Sequence, residues 1–182
     1  MTASDASRIL VTGLGALTPI GLSLDAFWDG LMDGMSGAGP ITRFDASEFR
    51  SQIACELEGF EPADYMDRKQ VSRLDPYSQY AVAAAHQAIE DAGIDVPSLS
   101  TEEKDRIGVI VGTGMGGVEL FEEQARTLIE RGPNRISPFL VPMMIPNMAA
   151  GLVAMEFGLR GPNHCVVSAC ASGNHAIGDA MA

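Results

Sequence analysis

A layered α/β domain is the fold this sequence predicts, and three observations predict it. Apolar runs rich in β-branched residues stand at 8–12, 107–112 and 164–168, each short enough for a strand. Stretches of helical spacing separate them. The 20 glycines and 10 prolines gather at the joints between the two kinds of segment. Strands that alternate with helices bury a sheet beneath those helices.

Taken in order, Arg8-Ile9-Leu10-Val11-Thr12 reads as a buried strand closed by Gly13-Leu14-Gly15. The glycines invite a dinucleotide reading, but the third Gly or Ala is missing from its place. Pro19 also interrupts the helix that would meet a pyrophosphate. Ser23 is placed to cap a helix whose Leu24, Phe27, Trp28 and Leu31 share one face, with Gly34 ending it, so Trp28 is expected in the core. Gly34 to Pro40 is a turn region. Ile53-Ala54-Cys55-Glu56-Leu57 is a short edge-strand candidate, with Cys55 as a small core residue. Asp75 caps the next helix, Pro76 takes its first position and Gly93 follows its last turn. Its Ala81, Ala83, Ala84, Ala85, Ala88 and Ala92 make a slim rod for close packing, on which His86 is expected packed or at the surface.

The second strand, Ile107-Gly108-Val109-Ile110-Val111, is of the kind buried on both faces. It runs into Gly112-Thr113-Gly114-Met115-Gly116-Gly117, a literal GxGxxG, and then a helix from Val118 to Arg131. A ribose-binding acid should end the following strand, but Glu130 closes this same helix. The glycines are therefore read as letting the backbone pass close to another surface or ligand. Glu122 and Arg126 stand at i,i+4, and Gly132-Pro133 stops the helix. Residues 134–146, rich in Pro, Met and apolar side chains, show no clear period, so they are buried or form an interface or apolar channel. Met148 to Phe157 is a helix ended by Gly158, and Gly161-Pro162 turns into the last strand.

Composition narrows the function. Hydrophobic residues make up 46% and charged residues 20%, a globular balance. The formal net charge of -12 argues against nucleic acid as a partner. Cys55, Cys165 and Cys170 have neither CxxC spacing nor an even count, so no zinc or other metal site and no disulfide framework is expected. With no apolar leader and no run of membrane-spanning length, a soluble cytoplasmic protein is expected. Asp67-Arg68-Lys69-Gln70-Val71-Ser72-Arg73 is the one dense basic cluster, either a solvated face or a landing pad for an acidic partner.

The last eighteen residues hold the candidate chemistry. A β-branched run ends in Ser168, small residues flank Cys170, and Ala, Ile and Met then recur at helical spacing. Strand, tight turn and helix in that order form a nucleophile elbow with Cys in place of Ser. A thiol near a helix N-terminus is favoured as thiolate, and Ala169, Ala171, Ser172 and Gly173 leave room for a carbonyl to approach. The residues alone leave two readings open, a nucleophile and an inert small residue.

Five stretches, spread over the chain in a fixed order, carry a resemblance. They are Val11-Thr12-Gly13-Leu14-Gly15 with Thr18-Pro19-Ile20-Gly21, the 112–117 glycine loop, Ile136-Ser137-Pro138-Phe139, Gly158-Leu159-Arg160-Gly161-Pro162, and Ser168-Ala169-Cys170-Ala171-Ser172-Gly173. The set resembles the β-ketoacyl-[acyl-carrier-protein] synthases, and among them the elongating type II enzymes. The resemblance implies the N-terminal half of a thiolase-like fold over 1–182, a homodimer, and Cys170 as the acyl-accepting nucleophile. It implies a 3-oxoacyl-[acyl-carrier-protein] synthase of fatty acid elongation, with acyl transfer to Cys170 followed by decarboxylative Claisen condensation with malonyl-carrier protein. No cofactor of its own is implied, since the substrates ride on carrier-protein phosphopantetheine. Met115 matches a position lining the acyl channel and Leu140 one reaching into the partner subunit's channel. Arg68, Lys69 and Arg73, joined by Arg135, match the contact region for acyl carrier protein. The family's two catalytic histidines match none of His86, His164 and His175. The chain is thus expected to be the N-terminal portion of a condensing enzyme, acylated slowly at Cys170 but inactive alone in condensation, unless a complementary C-terminal chain completes it. Exposed sheet edges are expected in it. A polyketide ketosynthase and a non-catalytic partner subunit of a condensing enzyme are the competing readings.

Overall fold

Two helices built from small residues set the frame. In the computed structural model, which describes residues 9–182, α3 spans Pro76–Asp91 and α7 spans Met148–Phe157. The alanine rod anticipated for α3 is used as such: Ala83, Ala149 and Ala150 are fully buried, and α3 makes its most extensive packing with α7. Side chains this short let two helices approach until backbone meets backbone. Around that contact Met66, Val82 and Val153 form the core, with Leu74, Val109, Leu152 and Phe157 against them.

Ahead of this frame lie α1 (Leu24–Met32), the two-residue strands β1 (Gly39–Pro40) and β2 (Ile53–Ala54), and α2 (Arg68–Val71). Ser23 caps α1 through the Ala26 N–H, as its sequence position implies. Trp28, however, is 61% exposed: α1 buries only Gly30 and leaves Leu31 and Met32 in the open as well. The amphipathic face exists, but among the described residues nothing covers it at Trp28. Cys55 is likewise exposed rather than in a core, because β2 ends at Ala54 and pairs only with β1.

After α3 come α4 (Thr101–Asp105), β3 (Val109–Gly112), α5 (Val118–Arg131), α6 (Leu140–Met144), α7, β4 (Asn163–Val166) and α8 (Ser172–Ala180). β3 and β4 pair in parallel, with Val109 opposite Asn163 and Gly112 opposite Val166. Both strands are a little shorter than their apolar runs, and β3 is half-buried rather than covered on both faces. The outer edges of this two-stranded sheet are unpaired among the described residues. The strand expected at 8–12 is absent as a strand. Arg8 lies outside the described residues, while Ile9 to Thr12 is unpaired and Val11 is 80% exposed. The next residues, Leu14 to Ala16, rest on α3 instead: the Leu14 N–H donates to Asp91 and the Ala16 N–H to Gln87. A helix side chain can satisfy these amides as well as a neighbouring strand can, so periodicity alone did not decide the pairing. Residues 134–146 also contain a helix, α6, that their composition does not announce. Gly158 ends α7 in the left-handed region at φ +66°, a conformation glycine takes without steric cost. No helix among the described residues is long and apolar enough to cross a membrane.

Candidate active site

Parallel strands deliver both halves of the site at their carboxyl ends. β3 runs into the loop 113–117, and β4 runs through Val167 and Ser168 to a 3-10 turn over Ala169–Ala171 that opens α8. The two ends are tied by the Thr113 N–H donating to Val166 O at 3.1 Å. At Gly112, a Cβ would lie 2.3 Å from the Ser172 carbonyl oxygen and 2.7 Å from the Gly173 nitrogen. Only glycine lets β3 pass this close to the start of α8, so the glycine-rich segment serves a packing contact, as its sequence context indicated.

Cys170 occupies the turn with its thiol exposed. The residue before it, Ala169, has φ +51°, the one non-glycine in the left-handed region among the described residues. An alanine held there costs about 1–2 kcal/mol relative to its ordinary conformation. Ser172, only 3% exposed, supplies the restraint. Its Oγ accepts the Ser168 N–H at 2.8 Å, and its own proton is shared between Ala169 O at 2.7 Å and Thr113 O at 3.1 Å. The Cys170 N–H takes no acceptor among the described residues. A Cβ at Gly173 would meet nothing within 4 Å. An exposed thiol, an unengaged N–H and open space beside them suit attack on a carbonyl, whose developing oxyanion the N–H can receive.

The other two cysteines behave differently. Cys55 is exposed, directly after β2. Cys165 is half-buried in β4, and burial pushes its thiol above the ordinary range, partly opposed by a backbone hydrogen bond involving Thr113. Each histidine has a polar partner: His86 Nε2 lies 3.2 Å from Glu156, His164 Nε2 lies 3.7 Å from Asp179, and His175 Nδ1 lies 2.7 Å from Ser168 Oγ at the entrance to the elbow. His86 is half-buried between α3 and α7, with its ring 4.6 Å from that of Phe157. Among the described residues no group of three or more His, Cys, Asp and Glu could hold a metal.

Met115 sits in the glycine loop, 72% exposed, and Leu140 opens α6, half-buried. The structure brings their two segments together. The Gly117 N–H donates to Met144 O at 2.9 Å, and a Cβ at Gly116 would lie 2.8 Å from the same oxygen. The basic cluster forms α2, capped by Asp67 with a reciprocal bond from Gln70. Arg68, Lys69, Arg73 and Arg135 are exposed, and none of the four is in a salt bridge among the described residues. Arg73 lays its guanidinium carbon 4.9 Å from the centroid of Phe139, which joins the cluster to the segment that carries Arg135 and Leu140. Arg73 and Phe139 also line a cavity of about 470 Å³, together with apolar Leu74, Pro142 and Met143 and polar Glu156.

Three structural contacts had no legible signal. Asp75 caps α3 through the Tyr77 N–H, as read from its position, but its second oxygen also accepts the Leu120 N–H of α5 at 2.9 Å. Gln124 of α5 accepts the Ser137 N–H and pins the 134–140 segment. Ser172 looked like one small residue among several.

Comparison with known proteins identifies the family and the fold. A family model described as the beta-ketoacyl synthase N-terminal domain matches residues 6–182. The chain is 49% identical over 174 residues to a 3-oxoacyl-[acyl-carrier-protein] synthase 2 of Synechocystis sp., covering 96% of this chain and 41% of that protein. It is 42% identical over 178 residues to the 3-oxoacyl-[acyl-carrier-protein] synthase 2 of a Staphylococcus aureus strain, covering 98% of this chain and 42% of that one. The chain thus spans about two fifths of the length of these relatives. A solved structure described as the ishigamide ketosynthase/chain length factor superposes with a TM-score of 0.81 at 30% identity, over 94% of this chain and 43% of that one.

Proposed function

The chain belongs to the β-ketoacyl synthase family, whose N-terminal domain with its thiolase-like half-fold it carries, and on that premise we propose that it supplies the nucleophile-bearing half of a 3-oxoacyl-[acyl-carrier-protein] synthase of fatty acid elongation, with condensation needing the family's catalytic histidines in addition. The observation that carries the proposal is the exposed Cys170 on a left-handed elbow at the end of β4. The Cys170 thiolate attacks the carbonyl of an acyl thioester on carrier-protein phosphopantetheine. A new carbon–sulfur bond forms, and the phosphopantetheine thiolate leaves and takes up a proton. Malonyl-carrier protein then loses CO2, and the electron pair of the broken bond becomes a carbanion at C2. That carbanion attacks the Cys170 thioester carbonyl, Cys170 departs as thiolate, and a 3-oxoacyl chain two carbons longer remains on the carrier. In both attacks the Cys170 N–H donates to the developing oxyanion.

Met115 and Leu140 line the acyl channel in this reading, with Leu140 reaching across a homodimer. Arg68, Lys69, Arg73 and Arg135 receive the acidic carrier protein; their exposure without ion-pair partners among the described residues leaves the charge available. The protein carries no cofactor of its own and works in the cytoplasm. The test is incubation of the full-length protein with decanoyl-acyl carrier protein, followed by peptide mass spectrometry. A decanoyl adduct on Cys170, absent from Cys170→Ala, is expected; an adduct on Cys55 or Cys165 alone would overturn the assignment. The likeness to a ketosynthase/chain length factor favours a second reading, polyketide assembly. Repeated condensation on one acetyl primer, without reduction between rounds, would establish that reading instead.

A further inference from the structure

We infer that Ser172 is a positioning residue that holds Ala169 in the left-handed region and thereby aims Cys170. The inference rests on the acyl-transfer reading of Cys170. Its geometry is local and complete. The Ser172 hydroxyl is buried, and it bonds the last amide of the strand exit, at Ser168, and the carbonyl of the strained residue itself. Its third contact, Thr113 O, begins the loop from the neighbouring strand. One oxygen therefore joins the exits of β3 and β4 to the turn between them. Without it, Ala169 has little reason to keep φ +51°, since an L-alanine relaxes readily to negative φ. Such a relaxation would rotate the peptide that joins Ala169 to Cys170, and with it the N–H facing the substrate oxyanion. Ser172 touches neither substrate nor the reacting atoms, so its effect passes through the backbone.

The backbone origin of the effect gives a distinctive test. In the full-length protein, Ser172→Ala should acylate Cys170 from S-decanoyl-N-acetylcysteamine about tenfold more slowly, the population change that strain of this size implies. Iodoacetamide labelling of Cys170, which needs only an exposed thiol, should stay within about twofold. Adding Ala169→Gly to Ser172→Ala should restore acylation to within about threefold, because glycine visits positive φ freely. A purely structural role predicts the opposite, since a further glycine only loosens the chain. Wild-type acylation in Ser172→Ala, or no recovery on adding Ala169→Gly, would overturn the inference. If Ser172→Ala does not fold, Ser172→Thr, which keeps the hydroxyl, should acylate within about threefold of wild type, and a tenfold loss there overturns it equally. Hydrogen exchange at the Ser168 amide separates the two levels of the argument. It should accelerate at least tenfold in Ser172→Ala or, where that variant does not fold, stay within threefold of wild type in Ser172→Thr. Failure of that expectation sinks the tie, whereas a wild-type protein that is never acylated sinks the functional reading alone.

Discussion

Replacing Asp75 by alanine should cost more than the loss of one helix cap, because this carboxylate serves two helices. One oxygen accepts the Tyr77 N–H at 3.2 Å and closes the N-terminus of α3. The other accepts the Leu120 N–H at 2.9 Å, in the first turn of α5, where Gly117 offers no side chain to cap its own helix. Asp75 is 5% exposed, so water cannot replace it without rearrangement. An ordinary N-cap is worth about 1 kcal/mol. A buried N–H that loses a charged acceptor costs about 1.5–3 kcal/mol more. Asp75→Ala should therefore destabilise by about 2.5–4 kcal/mol. Asp75→Asn, which keeps one carbonyl oxygen but turns an NH2 toward one of the two amides, should lose roughly half of that. Urea unfolding of the full-length protein, followed by far-UV circular dichroism with matched slopes, measures both variants. A loss in Asp75→Ala no greater than about 1 kcal/mol would refute the two-helix argument, as would an Asp75→Asn variant as damaged as Asp75→Ala.

Three further outcomes are expected from the geometry. Gly112→Ala places a methyl 2.3 Å from the Ser172 carbonyl oxygen, so β3 and α8 must separate; acylation at Cys170 should fall at least tenfold, and a variant with wild-type kinetics would show the contact to be soft. Arg68→Glu together with Lys69→Glu should weaken binding of acyl carrier protein about tenfold at low salt, with the difference shrinking as salt rises; an unchanged affinity by titration calorimetry would remove α2 from the docking surface. Burial raises the Cys165 thiol, so at pH 8 it should react with iodoacetamide more slowly than exposed Cys55. The sign of the linkage is fixed by that shift. Because the folded pKa lies above the unfolded one, stability is indifferent to this thiol below the unfolded value near about 8.5 and falls as pH rises through the window between them. Cys165→Ala should flatten that decline, and an identical slope in the variant would contradict it.

Much of the fold was legible wherever one short stretch contains its own physics. Ser23 and Asp75 cap the helices they precede, Gly158 ends α7, and Glu122 reaches Arg126 at 2.8 Å within α5. The strand–turn–helix at Cys170 was legible for the same reason, being a switch of hydrophobic period around small residues. Failures fell where a partner distant in sequence decides. Ile9 to Thr12 has the composition of a strand, but a strand needs a neighbour, and here the amides just beyond it find Asp91 and Gln87 on a helix. Trp28 lies on an apolar face that no described element covers. α6 was hidden because Pro142 and the methionines around it carry no clear helical period.

The sequence by itself determined where α1, α3, α5 and α7 start and stop, that β3 and β4 are strands, and that Cys170 stands at an elbow, since caps, periodicity and turn residues act over only a few positions. Tertiary structure alone decided that β3 and β4 pair in parallel, that Asp75 caps a second helix 45 residues on, and that Ser172 bonds Thr113 59 residues back. Those choices rest on which buried donors and acceptors come within about 3 Å of one another, and that distance is set by the packing of α3 on α7 and of α8 on Gly112.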